Sequence, residues 1–144
     1  MHDDAHHLRR AIELAHAARE AGDMPFGSIL VGPDGDIVAE DRNTVLSDSD
    51  ISAHPELKLA RWAARELAPE VARATTMYTS CEPCPMCRGA ISRSGLGRVV
   101  FALSGAQLNA LRPDDSPAPD DAAVVYDGPA LADEGRAPLA GYYG

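Results

Sequence analysis

The stretch Thr75-Thr76-Met77-Tyr78-Thr79-Ser80-Cys81-Glu82-Pro83-Cys84-Pro85-Met86-Cys87 turns a strand-like run into the start of a helix. Thr75 to Thr79 is rich in β-branched and aromatic residues, the composition of a strand. A Cys-rich turn follows, and a helix is expected from Cys84 to Ser94, ended by Gly95 and Gly97. Cys84 and Cys87 are three positions apart, so both sulfurs face one side of the first turn. A helix N-terminus favours negative charge and stabilises thiolates there.

A second element lies upstream, His54-Pro55-Glu56. Proline is favoured at the first helical position because its missing N–H would be unpaired there anyway. That places His54 at the N-cap of a helix running from Pro55 to about Leu67, with Leu57, Leu59, Ala60, Ala63, Ala64 and Leu67 as its apolar stripe. Two thiolates and an imidazole suit zinc. A closed structural site takes four protein ligands, usually from two separated pairs, whereas this chain offers one CxxC and one well-placed His. A vacant fourth position holds water, whose pKa zinc lowers to about 7. Glu56 is then placed to take a proton from that water and pass it to a ring nitrogen and a departing amine, which makes hydrolytic deamination the expected reaction class. Taken alone, the CxxC also reads as a redox pair or half of a zinc ribbon, and HxE occurs by chance. The conjunction, in this order and on two helix starts, is the specific signal.

Outward from these elements, Leu8, Ile12, Ala15, Ala18 and Ala21 mark an amphipathic helix from Asp4 to Ala21, closed by Gly22. Phe26 to Val31 and Ile37 to Glu40 flank a Pro-Asp-Gly turn and read as a hairpin. Arg42 to Ala53 reads as a polar loop, Arg98 to Leu103 as a strand, and Ala106 to Leu111 as a short helix. Arg112 to Asp121, rich in Pro, Asp and Ser, reads as a loop and the most mobile segment. Ala123 to Tyr126 is expected as a last strand, and Ala130 to Tyr143 as a helix interrupted at Pro138. Alternating strands and helices imply one layered α/β domain over residues 1–144. His2, His6, His7 and His16 read as solvated surface, Met86 as core, Trp62 as packing and Cys81 as a small buried residue.

The 144 residues are 45% apolar and 24% charged, with a formal charge of −9. No Lys/Arg cluster offsets that charge, so long RNA or DNA is a poor substrate and a small uncharged molecule fits better. Three cysteines cannot close a disulfide framework. The charged N-terminus is not a secretory signal, and no apolar run approaches the roughly 18 to 20 residues that span a bilayer. A cytoplasmic protein is expected.

At the two zinc elements, and at Pro25-Phe26-Gly27, Asn43 and Gly89-Ala90-Ile91, the chain resembles the cytidine deaminase-like superfamily, whose signature is H-x-E…P-C-x-x-C. Thr79 to Cys87 looks most like the bacterial guanine deaminase branch, with cytosine and tRNA adenosine deaminases as near relatives. The resemblance implies a three-layer α/β/α sandwich around a five-stranded mixed sheet, and a homodimer. It implies one Zn2+ per chain on His54, Cys84 and Cys87, with Glu56 as proton shuttle. It further implies that Asn43 hydrogen-bonds the substrate ring, that Phe26 packs against the base, and that the Glu82 carbonyl faces the leaving amine. Asn43 is otherwise a turn residue and Phe26 a core residue. The substrate class implied is a guanine-like purine or triazine first and cytosine second. Alternatives are tRNA adenosine deamination, opposed by the charge, and a non-catalytic zinc-stabilised binding module, which has no need of Glu56. Pro55 departs from the small residue that relatives carry between His and Glu, and it offers no N–H to a substrate. The C-terminal region from Asp120 also lacks the acidic and aromatic ending of guanine deaminases, although Tyr142 and Tyr143 are there to cap a pocket or to fray as a tail.

Overall fold

The computed structural model describes residues 3–113 and 124–144. The chain divides into two compact units, Met1–Asp114 and Asp115–Gly144. In the first, helix α1 (Asp4–Glu20) leads into a hairpin of β1 (Gly27–Val31) and β2 (Ile37–Arg42). A short helix α2 (Val45–Asp48) precedes α3 (Pro55–Glu66) and α4 (Pro69–Arg73). Strand β3 (Thr76–Cys81), helix α5 (Pro85–Ser92), strand β4 (Arg98–Leu103) and helix α6 (Gly105–Leu111) complete it. The sheet order is β2-β1-β3-β4, with β1 antiparallel to both neighbours and β3 parallel to β4. Parallel strands need a crossover, and α5 supplies it. That connection puts the CxxC turn at the carboxyl end of β3, where open α/β sheets bind ligands.

β1 is buried at every position, because helices cover both of its faces. Alternate residues separate into two clusters, as the period of a strand requires. Leu30 and Met77 pack with Leu59 and Ala63 of α3, joined by Trp62, Ile91 and Val99. Ile29, Val31 and Tyr78 face the other way, against Leu8 and Leu14 of α1 and Val100. The result is helix, mixed sheet, helix. Fully burying each of these large apolar side chains contributes about 1.5 to 3 kcal/mol.

Several expectations need correction. The described sheet has four strands, not five: Val124 to Tyr126 form no strand, and Ala123 lies outside the described residues. Strand composition there has no partner edge in the described structure, and a strand exists only through its pairing. From residue 114, the loop expected over 112–121 also lies outside the described residues. The polar loop after β2 contains α2, and α4 was not expected at all. The C-terminal helix is shorter, α7 (Ala132–Arg136) followed by a 3₁₀ turn Ala137–Leu139, which holds Pro138 in its first turn. In α1 the buried stripe is Ala11, Ala15 and Ala18, and Ile12 faces outward. Met86 is exposed rather than core, and Cys81 is half-buried. His7 is not solvated surface: its ring lies 4.9 Å from that of Tyr78, and its buried Nδ1 has no hydrogen-bond partner among the described residues. His6 and His16 are exposed, and His2 lies outside the described residues. Trp62 is packing, as expected. Among the described residues no helix is long and apolar enough to cross a membrane.

α1 rests directly on the backbone of β1 at Gly27. A Cβ there would meet the Ala11 carbonyl oxygen and Leu14 Cβ at 2.5 Å and the Ala15 nitrogen at 2.6 Å. Backbone atoms cannot yield as a flexible side chain can. Gly27→Ala should therefore cost about 1 to 3 kcal/mol, and Gly135→Ala, with nothing within 4 Å, should leave the melting temperature nearly unchanged. Paired thermal melts check this.

Candidate metal centre

Two helix starts converge at the carboxyl end of β3. His54 is the N-cap of α3 and Cys84 the N-cap of α5, and each is followed by proline at the first helical position. A residue before proline is pushed out of the helical region, and ψ is 139° at His54 and 166° at Cys84. Neither side chain caps its own helix. They turn to each other instead. His54 Nδ1 lies 3.7 Å from Cys84 Sγ and 3.5 Å from Cys87 Sγ, and ligand atoms of the three residues all lie within 4.8 Å of one another.

Tetrahedral zinc, with Zn–S about 2.3 Å and Zn–N about 2.0 Å, holds neighbouring ligand atoms roughly 3.5 to 3.8 Å apart. The two imidazole-to-sulfur spacings match, and two sulfurs with one imidazole are a zinc set. These three residues are the one such cluster of His, Cys, Asp and Glu among those described. A hydrogen bond from Cys87 first, and then one with His54, holds the Cys84 thiol well below its ordinary range. The two sulfurs share a proton, and the Cys87 thiol is pushed up by its bond to Cys84, then by burial and by the charge of Glu56. His54 is raised, chiefly by its hydrogen bond with Cys84. Metal binding displaces such a shared proton.

Glu56, in the first turn of α3, is buried. Burial pushes its carboxyl up to about 7 against the opposing pull of its own backbone N–H and of His54. Cys81 is raised by burial first and by Glu56 second, and the charge of Glu56 also acts on Cys87 and His54, which puts the carboxylate within electrostatic reach of the cluster.

The remaining expected residues fall into two groups. Asn43 is fully buried, and its Oδ1 accepts from Val45 N at 2.9 Å, which makes it the turn residue that starts α2. Among the described residues its Nδ2 has the Met24 thioether, 4.0 Å away, as partner. Phe26 is half-buried, not core, and its carbonyl accepts from Asn43 N at 3.0 Å, so these two are neighbours. The Glu82 side chain braces the turn before Cys84, since Oε1 accepts from Gly105 N at 2.8 Å and Oε2 pairs with Arg88. Sequence reading passed over Asp23, whose carboxylate accepts both the backbone N–H and the hydroxyl of Ser47 at 2.8 Å and so ties α2 to the end of α1. An isolated Asp after a helix carries no sequence signal for a contact 24 residues away.

The layered fold and the His/Cys/Cys cluster define a zinc-site domain of the deaminase type. The cytidine and deoxycytidylate deaminase zinc-binding region matches residues 1–103, and the chain belongs to that family. It is 45% identical over 110 residues to the guanine deaminase of Bacillus subtilis, covering 76% of this chain and 70% of that one. The X-ray structure of guanine deaminase from Bacillus subtilis superimposes with a TM-score of 0.76 at 32% identity, over 99% of this chain and 94% of that one. A tRNA-specific adenosine deaminase of Haemophilus influenzae is 36% identical over 72% of this chain, which spans 60% of that relative. The tRNA(Ile)-lysidine synthase of Deinococcus deserti is 38% identical over 72% of this chain, which spans only 20% of its length.

Two outcomes follow from this geometry. Cys87→Ser should abolish stoichiometric zinc, read by metal analysis, and stripping wild type with a chelator should lower its melting temperature reversibly, since the metal binds only the folded site. For Asp23, hydrogen bonds from the Ser47 backbone and then its hydroxyl hold the carboxyl below the ordinary value of 3.8. A depressed folded pKa contributes stability above 3.8 that is lost as pH falls below it. Acid melts should show wild type losing its advantage over Asp23→Asn in that range.

Proposed function

We propose that the chain is a zinc-dependent hydrolytic deaminase that releases ammonia from an amino-substituted nucleobase or related heterocycle. Guanine-like purines or triazines come first and cytosine second, and the working form is a cytoplasmic homodimer. The observation that carries this reading is a buried Glu56 carboxyl, two residues from His54 on the same helix start, beside a cluster that offers a metal three protein donors. Bound zinc supplies a Lewis acid that makes water acidic enough to act as a nucleophile near neutral pH. His54, Cys84 and Cys87 hold it, and Glu56 moves protons. The Glu56 carboxylate takes one proton as the water oxygen bonds to the amine-bearing carbon and delivers it to the ring nitrogen; it then takes the second proton from that oxygen as the C=O bond forms and gives it to the amine, which leaves as ammonia when the C–N bond breaks. A carboxyl raised to about 7 by burial exchanges protons readily at neutral pH.

Asn43 offers Nδ2 as a donor to the substrate ring once Met24 moves aside, a displacement suited to a flexible thioether. Phe26, beside it, packs against the base, and the Glu82 carbonyl receives the leaving amine. Pro55 donates no hydrogen bond, so substrate carbonyls are held by other groups. The identity to guanine deaminase supports a purine, and the −9 charge weighs against tRNA.

Ammonia release from zinc-loaded protein across a panel of free bases, aminopurines and aminotriazines tests the reading. Glu56→Gln should lower turnover by about 10²- to 10⁴-fold while keeping zinc. Inosine formation in an anticodon stem-loop without any turnover of free bases would instead make tRNA the substrate, and unchanged function in Glu56→Gln would leave a binding module.

A further inference from the structure

We propose that Lys58 is a positioning residue that locks the Asn43 segment to the helix bearing His54 and Glu56; this rests on Asn43 binding the substrate. A lysine is ordinarily solvated, yet this side chain is only 19% exposed. Its ammonium donates to the Arg42 carbonyl at 2.9 Å and to Thr44 Oγ1 at 3.0 Å, and it pairs with Asp41 Oδ1 at 2.9 Å. An ammonium has three donors, and three oxygens receive them.

Those oxygens belong to residues 41, 42 and 44, on both sides of Asn43. Asp41 Oδ1 also accepts from Arg42 N at 2.8 Å, and Thr44 Oγ1 donates to Asp48 Oδ2 at 2.6 Å, which carries the grip into α2. At its other end Lys58 is fixed by helix α3, its own N–H donating to the His54 carbonyl at 3.0 Å. One side chain therefore joins the backbone of a metal-ligand residue to the turn that presents Asn43. Sliding that turn along α3 would break all three contacts of a half-buried charge, so the distance between Asn43 and Glu56 is held. Arginine cannot replace it: a planar fork does not reproduce three oxygens converging on a point.

Lys58→Met keeps the apolar stem and removes the charge, and Lys58→Arg keeps the charge and loses the convergence. In both, exchange of the Val45 amide, which donates to Asn43 Oδ1, should quicken by on the order of tenfold while amides of β1 and β3 keep their wild-type rates. KM for the best-used heterocycle should rise roughly 10- to 100-fold, with a smaller change in kcat and unaltered zinc per chain. Unchanged Val45 exchange, or exchange that quickens equally throughout the sheet, overturns the proposal. Altered Val45 exchange in a protein that deaminates no heterocycle keeps Lys58 as the anchor of Asn43 and removes the deaminase reading instead.

Discussion

Two proline residues, each at the first position of a helix, impose the constraint on which the site depends. Pro55 and Pro85 force His54 and Cys84 into extended conformations, and both side chains leave their capping positions. The helix starts then face one another, with imidazole and thiols in contact where each helix presents unpaired N–H groups. Each helix end carries roughly +0.5 charge, and two such ends offset part of the cost of gathering thiolates and a buried carboxylate in an acidic chain. The offset is partial, since Cys87 and Glu56 are both still pushed toward their protonated forms.

The sheet supplies the rigidity. β1 and β3 are covered on both faces, so the chain segments leaving their ends start from fixed points. Buried polar links tighten the join beside the site: Ser28 Oγ donates to Thr79 Oγ1 at 2.7 Å, and Gly27 N to Ser80 Oγ at 3.1 Å. Further round, the Arg88–Glu82–Gly105 contacts bind the turn before Cys84 to the start of α6. Asp23 ties down α2 at Ser47, and Lys58 contacts residues 41, 42 and 44 around Asn43. Loops are usually mobile, and here charged side chains fasten them.

The local patterns were strongly legible. The bounds of α1, the hairpin, α3, β3, α5 and β4 lie within a few residues of where periodicity and turn chemistry put them. Short elements were less so. α2 and α4 have four and five residues, too few for a periodic signal, and α2 begins on the Asn43 turn rather than on an apolar stripe. The strand expected around Val124 failed for the converse reason: composition suited it, but a strand needs an edge to pair with.

By itself the sequence picked out His54, Cys84 and Cys87 as a candidate metal set, with Glu56 beside them, and the helices they begin, because proline restriction and three-residue spacing act within a few bonds of the chain. Only the tertiary structure decided that His54 and Cys87, 33 positions apart, lie 3.5 Å from each other. It also decided that Glu56 loses its water, that His7 leaves the surface for Tyr78, and that Lys58 reaches back to Arg42. Those outcomes depend on how helices and sheet pack across long stretches of chain, and contacts of that kind leave no local pattern to read.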